Sequence, residues 1–523
     1  IQILMKDRSE RMEEYVDFLS MEEQKSIQLK ALFSRHHFQN YRLSAFESYD
    51  LYAKSREFAT PQSVITFVGA KGQVMALKPD ITLSIIKNTG STEEKKVFYD
   101  EDVYRHDFHN EEYVRIHQLG IEHIGRLTHT DEREILELAL ESLNILGTNR
   151  LHLSHQALVN ELLSWFDEEK RAVVIQALNQ KSVHELETYR CVGQLSDKRW
   201  QLLKDLLFAT TADFDKMHQL FQTTASQNAL AKLHEYIFYF DSNACFVDLS
   251  IASLEPYYSG LMFTGYLKDV AKPVLLGGQY DQLLKNQGMN QSGMGFAIYL
   301  DEAFLSERQT ASLPIENEYL KIALPKGRMA QKVIEIFEKS DLCAKDTLKD
   351  NRQLIFTDEE HKLQFYLVKP SDAAIYVKHG VADIGVVGKD VLMESQPDVL
   401  ELLDLNFGKC VLAIASFKDF QQDFNRPLKV ATKYANQTRD YFASIGQAVE
   451  LIALHGSIEV APLLGLSDVI VDIVETGRTL KENHLEVLKV IAHSSARLVA
   501  NQAAYRFKQV QMNEVIKKVA QQL

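Results

Sequence analysis

The pattern of apolar and polar positions divides the chain in two. In residues 319–523, short apolar runs alternate with stretches of helical spacing. The run at 320–324 predicts a strand and passes into Pro325-Lys326-Gly327-Arg328; Met329, Val333, Ile336 and Phe337 then recur at the helical period. Further strands are predicted at 364–368, 382–387, 408–415, 428–431 and 468–474, and a helix at 455–464. Ser371 is placed to cap one helix and Gly380 to end it. Such alternation predicts α/β layers, whose ligands sit beyond the carboxyl ends of the strands.

Residues 5–305 are patterned differently. A helix is predicted over 12–33, then strands at 64–68, 74–77, 97–104 and 113–121, with Gly69 to Gly72 turning the first two into a hairpin. Residues 131–146 read as an amphipathic helix and 157–233 as mostly helical; strands return at 237–249, 261–267 and 274–276. This predicts an α+β unit, an antiparallel sheet with a helical insertion. Residues 306–318 are polar, carry Pro314 and lack periodicity, which predicts a linker. The expected organisation is therefore 1–305, a linker at 306–318, and 319–523.

Length and charge narrow the picture. A chain of 523 residues is too long for one core. Its 58 Lys and Arg against 72 Asp and Glu give a net charge of −14. That balance argues against broad binding to nucleic acid or a membrane surface, though an anionic substrate at a locally positive site stays open. Cys191, Cys245, Cys343 and Cys410 are scattered, with no CxxC pair and no Cys/His cluster. Neither a zinc site nor a disulfide frame is expected, and a reducing cytoplasm fits. There is no apolar run of membrane-spanning length and no signal peptide, so no membrane association is expected.

The segment at 469–480, VIVDIVETGRTL, holds the most chemistry. An apolar strand delivers Asp472 and Glu475, then Thr476, Gly477, Arg478 and Thr479. Turn N–H groups and hydroxyls suit a phosphate, and the acids suit ribose hydroxyls or hydrated Mg²⁺. The same residues also fit a buried strand with a polar turn. Lys326-Gly327-Arg328 offers close backbone approach and two cations to a polyphosphate; the alternative is a basic helix start, mildly unfavourable at a helix N-terminus. Gly385, Gly388-Lys389-Asp390 and Thr432-Lys433-Tyr434 also end strands, as parts of the same cleft or as surface turns.

In order along 319–523, LKIALPKGR, ADIGVVGKDVLME, ATKYANQTRDYF, HGSIEVAPLLGLSD and DIVETGRTL resemble ATP phosphoribosyltransferase. The resemblance implies a two-lobed fold like a periplasmic binding protein. It implies condensation of ATP with 5-phosphoribosyl-1-pyrophosphate to phosphoribosyl-ATP and pyrophosphate, with Mg²⁺, the committed step of histidine synthesis. Glu475, Thr476, Gly477, Arg478, Thr479 and Leu480 would hold the 5′-phosphate, with Asp472 near the ribose. Lys326, Gly327, Arg328 and Lys433 would face the other phosphates or the purine nucleotide, with Gly388, Lys389 and Tyr434 lining the cleft. The chain ends 43 residues after Leu480, behind one expected closing helix at 502–523. This is similar to the family's short form, which works with a regulatory subunit related to histidyl-tRNA synthetase.

In the first unit, LKPDIT at 77–82, Val103-Tyr104-Arg105 and IHQLGIEHIG at 116–125 resemble a class II synthetase core, and histidyl-tRNA synthetase in particular. Asp248-Leu249-Ser250 through PYYSG at 256–260, and GGQYD at 277–281, resemble its histidine motifs. By resemblance Asp80 and Thr82 would take the amino group of histidine. Gln118, Glu122 and Arg105 would surround the amino acid, with Glu122 toward the imidazole, and Tyr257 and Tyr258 would wall the ring. Ser253 stands where the synthetase carries a catalytic arginine, and Arg115 is not at the expected spacing. An adenylating enzyme needs a cation there. The anticodon-binding domain is replaced by the second unit. The resemblance thus implies a histidine sensor, with histidine as inhibitor, no tRNA, and a hetero-octamer-like assembly of four units of each kind. An active histidyl-tRNA synthetase joined to a small-molecule binding domain is the alternative.

Overall fold

The computed structural model describes residues 19–53, 63–89, 94–107, 112–190, 196–240, 244–253, 257–305, 319–344 and 353–523. Two compact units, Ile1–Ile315 and Glu316–Leu523, divide the chain. The expected linker at 306–318 lies outside the described residues. Among those residues no helix is long and apolar enough to cross a membrane.

The first unit is built on an eight-stranded mixed sheet. Its centre is the long hairpin of Lys95–Asp107 and Glu112–Gly125, continued antiparallel by Ser292–Tyr299, Leu275–Gln279, Leu261–Leu267 and Asn149–His155. The edge strands Gln39–Asn40 and Cys245–Val247 pair in parallel. Helices Met21–Arg35 and His129–Leu146 cover one face, burying Leu29, Phe33, Ile135 and Leu143 completely. A three-stranded sheet contains the hairpin of Thr66–Val68 and Val74–Leu77 expected from Gly69 to Gly72.

Two expectations for this unit need correction. The first helix begins at Met21 because Ser20 and Glu23 form a reciprocal capping box; residues 12–18 lie outside the described residues. Residues 237–249 are not one strand. Helix Thr224–Tyr239 runs through their start, and only Cys245–Val247 is extended. Ala229, Leu230, Leu233 and Tyr236 form a buried helical stripe there, and its burial overrides the β-propensity of the aromatic run.

The second unit has two lobes, each with its own sheet. The first orders Ile355–Asp358, Leu363–Val368, Leu320–Pro325, Ile384–Gly388, Ala496–Ala500 and Leu400–Asp404. The second orders Val449–Ala453, Leu428–Thr432, Val469–Val474, Cys410–Phe417 and Leu485–Ser494. The chain crosses between lobes after Leu400–Asp404 and returns between Leu485–Ser494 and Ala496–Ala500. The returning strand is antiparallel to both its neighbours, so the first sheet is not a simple parallel layer. The helix expected at 455–464 shrinks to Val460–Leu463, since Ser457 takes a positive φ of 49°. The single closing helix expected at 502–523 is two, Gln502–Phe507 and Gln509–Ala520, broken at Lys508.

Candidate functional site

The second unit gathers the polar ends of three strands. Lys326 follows Leu320–Pro325, Lys433 follows Leu428–Thr432 and Glu475 follows Val469–Val474. Gly327 (φ 95°) caps the helix Arg328–Lys339, and a Cβ built on it meets nothing within 4 Å, so a ligand could approach the backbone. Gly477 (φ 70°) occupies the left-handed region ahead of Arg478–Glu482, a conformation that favours glycine. Arg328 Nη2 lies 3.8 Å from Glu475 Oε2, joining the two turns across the lobes. Arg478 is directed along its own helix, its Nε donating to Glu482 Oε1 at 2.7 Å. Thr476 Oγ1 accepts the Arg478 N–H at 3.5 Å, and Thr479 is exposed. Burial raises the pKa of Asp472, Glu459 adds to the rise, and the Ile473 N–H and Lys433 oppose it.

A cavity of about 670 Å³ opens where the chain crosses between lobes. Glu475, Thr476 and Gly477 line it together with Lys409, His493 and Arg497. Sequence reasoning missed these last three. Their only signal is a position beside the crossovers, which no local pattern marks. Arg497 Nη1 is 3.1 Å from Asp404 Oδ2.

Four expected ligand contacts are corrected. Lys389 Nζ donates to the buried Glu401 at 2.8 Å, so its charge is committed within the first lobe. Tyr434 offers no open aromatic face: it is buried, and its hydroxyl donates to Asp390 Oδ2 at 2.9 Å. Leu480 packs its side chain into the second lobe's core with Ile458 and Ile470, which leaves only its backbone to meet a ligand. Gly388 has an ordinary φ of −68°, and a Cβ there would strike the Asp390 carboxylate, so an intramolecular contact accounts for the glycine.

In the first unit, Asp80, Thr82, Arg105, Gln118, Glu122, Tyr257 and Tyr258 all line one cavity of about 450 Å³. Asp80 caps the helix Ile81–Lys87, accepting the Leu83 N–H at 2.8 Å. Arg105 Nη2 lies 4.0 Å from Asp80 Oδ2, and its Nε donates to the Pro79 carbonyl at 2.9 Å. Burial raises the Asp80 pKa, while the Leu83 N–H and Arg105 oppose the rise. Glu122 lies on the floor, opposite Gly295 in the neighbouring strand, where any Cβ would strike its carboxylate. Thr82 Oγ1 and Tyr280 OH each donate to one Glu122 oxygen at 2.5 Å. Thr82, expected beside an amino group, thus holds this carboxyl instead. Burial dominates the electrostatics and pushes Glu122 up to about 8. Tyr257 meets Tyr258 edge-on at 4.9 Å between ring centres, and Tyr280 stands 6.1 Å away. Tyr99, Tyr280 and Tyr299 also line the cavity and were missed, although Tyr280 sits inside the GGQYD motif. Ser253 lines it as well, where a synthetase arginine was expected to be lacking.

Comparison with known proteins matches each unit separately. The family model described as Histidyl-tRNA synthetase matches residues 18–303, and that described as ATP phosphoribosyltransferase matches residues 369–521. An ATP phosphoribosyltransferase of Brachyspira hyodysenteriae is 52% identical over 205 residues, covering 39% of this chain and all (100%) of its own length. That of Clostridioides difficile is 50% identical over 204 residues, 38% of this chain and 96% of its own. Among solved structures, the ATP phosphoribosyl transferase (HisG:HisZ) complex from Thermotoga maritima is 35% identical, covering 39% of this chain and 97% of its own, with a TM-score of 0.35.

Proposed function

The chain belongs to the ATP phosphoribosyltransferase family through its second unit and to the histidyl-tRNA synthetase family through its first, and from that premise we propose a transferase that carries its own histidine sensor. The reaction is the first step of histidine biosynthesis, ATP and 5-phosphoribosyl-1-pyrophosphate giving phosphoribosyl-ATP and pyrophosphate. Adenine N1 bonds to ribose C1 as the bond from C1 to the pyrophosphate oxygen breaks, and pyrophosphate leaves with the electron pair. By analogy with glycosyl transfer, the transition state is oxocarbenium-like. The protein's task is to align two anions and balance their charge.

Thr476, Gly477, Arg478 and Thr479 hold the 5′-phosphate, and Asp472 faces the ribose hydroxyls. Lys326, Gly327, Arg328 and Lys433 serve the pyrophosphate and the purine nucleotide. The approach of Arg328 to Glu475 supports this reading, because it brings the cationic turn of one lobe to the phosphate loop of the other. Asp472 and Glu475 are the oxygen donors suited to Mg²⁺, which keeps much of its water and leans on substrate phosphates. Asp472 Oδ1 takes the Ile473 N–H, and its other oxygen accepts from none of the described residues. When bound, the ion would neutralise charge on the leaving pyrophosphate. The paired sheets and two crossovers support a likeness to periplasmic binding proteins. Such substrates favour a cytoplasmic setting.

The sensor reading rests on one observation: seven residues singled out by resemblance line the same cavity, with a buried carboxyl at its floor. Glu122 takes the imidazole, Arg105 the carboxylate and Asp80 the amino group. Ser253 supports a sensor without adenylating activity. The test is to mix ATP and phosphoribosyl pyrophosphate with the purified chain, follow pyrophosphate release, and titrate histidine. Release that histidine suppresses is expected; ATP–pyrophosphate exchange dependent on histidine would favour an active synthetase instead.

A further inference from the structure

Inside the second unit, hydrogen bonds cross from the first-lobe helix Lys389–Ser395 to the turn and helix start after Leu428–Thr432 in the second lobe. Tyr434 OH donates to Asp390 Oδ2 at 2.9 Å. The N–H groups of Asn436 and Gln437 donate to the two carboxylate oxygens of Glu394 at 3.0 and 3.1 Å. Asn436 Nδ2 and Gln437 Nε2 donate to the carbonyls of Glu394 and Met393 at 3.1 and 2.8 Å. Glu394 thus serves the unpaired N–H groups of helix Ala435–Ser444 and puts negative charge at its positive end. Asp390 also grips the return crossover: its N–H donates to Ser494 Oγ, which donates back to Asp390 Oδ1, both at 2.9 Å.

The turn held by this clasp bears Lys433. It is stiff, since Thr432 Oγ1 accepts the Tyr434 N–H and donates to the Val471 carbonyl, both at 2.8 Å. Lys433 itself is exposed and acts electrostatically on Asp472. Position therefore passes from the first-lobe helix, through Asp390 and Tyr434, to the cation beside the phosphate loop.

We infer that Asp390 and Glu394 are positioning residues of the transferase: by clasping the lobes beside the crossovers, they set the fraction of molecules whose cleft is assembled for substrate. This rests on the cleft proposed above. Neither carboxylate needs to touch a ligand. If only a fraction of molecules is competent, every ligand of the closed cleft loses apparent affinity by that same fraction. Loosening the clasp should therefore raise KM for both substrates by a common factor, each measured with the other substrate held well below saturation. Saturating substrates draw the lobes together again, so kcat is retained. Removing a group that touches one substrate acts on that substrate's KM or on kcat.

Steady-state kinetics of the full chain test this with Asp390→Ala, Glu394→Ala and Tyr434→Phe, the last removing a single hydroxyl and so sparing the fold. Both KM values should rise together, by roughly threefold to thirtyfold for the carboxylate variants and less for Tyr434→Phe, with kcat within about twofold of wild type. A rise in only one KM, a fall in kcat with KM unchanged, or wild-type kinetics in the folded variants overturns the inference. Lobe separation gives a reading independent of activity. Spin labels at Lys369→Cys and Lys418→Cys, one exposed site on each lobe, in a background with the native cysteines changed to alanine, should give a broader distance distribution with Asp390→Ala. An unchanged distribution refutes the clasp. Should the wild type release no pyrophosphate, the transferase reading falls, and the distance measurement still decides the clasp.

Discussion

Glu122→Gln tests the buried carboxyl of the first unit through stability alone. Burial pushes the Glu122 pKa from 4.5 up to about 8, and among the described residues its two oxygens receive the neutral hydroxyls of Thr82 and Tyr280. A carboxyl whose folded pKa lies above its unfolded value keeps a proton in the fold that the unfolded chain has already released. Stability therefore falls as pH rises through the window from about 4.5 to about 8 and levels off above it. The slope inside the window approaches about 1.4 kcal/mol per pH unit. Between about pH 6 and pH 8 the folded group goes from protonated to half-ionised, so the loss is about 2 kcal/mol. Glutamine keeps the shape and an oxygen for Thr82 but does not titrate. Thermal unfolding of the first unit's transition, without histidine, should show the wild type losing about 4–8 °C more than Glu122→Gln over that interval, at about 2–4 °C per kcal/mol. Equal losses in the two proteins would refute the argument that this carboxyl is held protonated by burial.

Three further outcomes follow from the same geometry. Glu122→Ala removes the hydrogen-bond partner of the imidazole and leaves that ring nitrogen buried and unsatisfied, at a cost of about 1–3 kcal/mol, so a histidine titration at fixed substrates should show inhibition weakened roughly tenfold to a hundredfold, with uninhibited turnover nearly unchanged. Gly477→Val places a β-branched residue at φ 70° and blocks approach to the phosphate loop; pyrophosphate release should fall at least about tenfold, a barrier rise of about 1.4 kcal/mol, and wild-type turnover in the folded variant would contradict the phosphate assignment. Light scattering should find a symmetric particle of four chains, four units of each kind, and a monomeric mass at working concentration would contradict it.

Much of the fold was legible because its signals are local. The strand Leu261–Leu267 stands at the bounds its apolar run predicts, and the hairpin at Gly69 to Gly72 forms where turn chemistry requires it. The turns at Lys326-Gly327-Arg328 and Thr476-Gly477 could be read because each glycine is needed by its own backbone, which takes φ values of 95° and 70°. Illegible features depended on distant partners. Nothing near Tyr280 announces that its hydroxyl meets Glu122, 158 positions away, and nothing near Tyr434 announces Asp390, 44 positions away.

By itself the sequence indicated two units, most of their strand and helix periods, the Thr476-Gly477 turn, and seven of the residues that line the first unit's cavity. These follow from hydrophobic spacing, from turn residues, and from motifs contained in short stretches. Only the tertiary structure decided which polar groups remain free for a ligand. It spent Lys389 on Glu401, buried Tyr434 on Asp390 and brought Lys409, His493 and Arg497 to the crossovers. The physical reason is desolvation: a charge or hydroxyl taken from water must find a partner inside the fold, and that partner is chosen by packing between segments far apart in the chain.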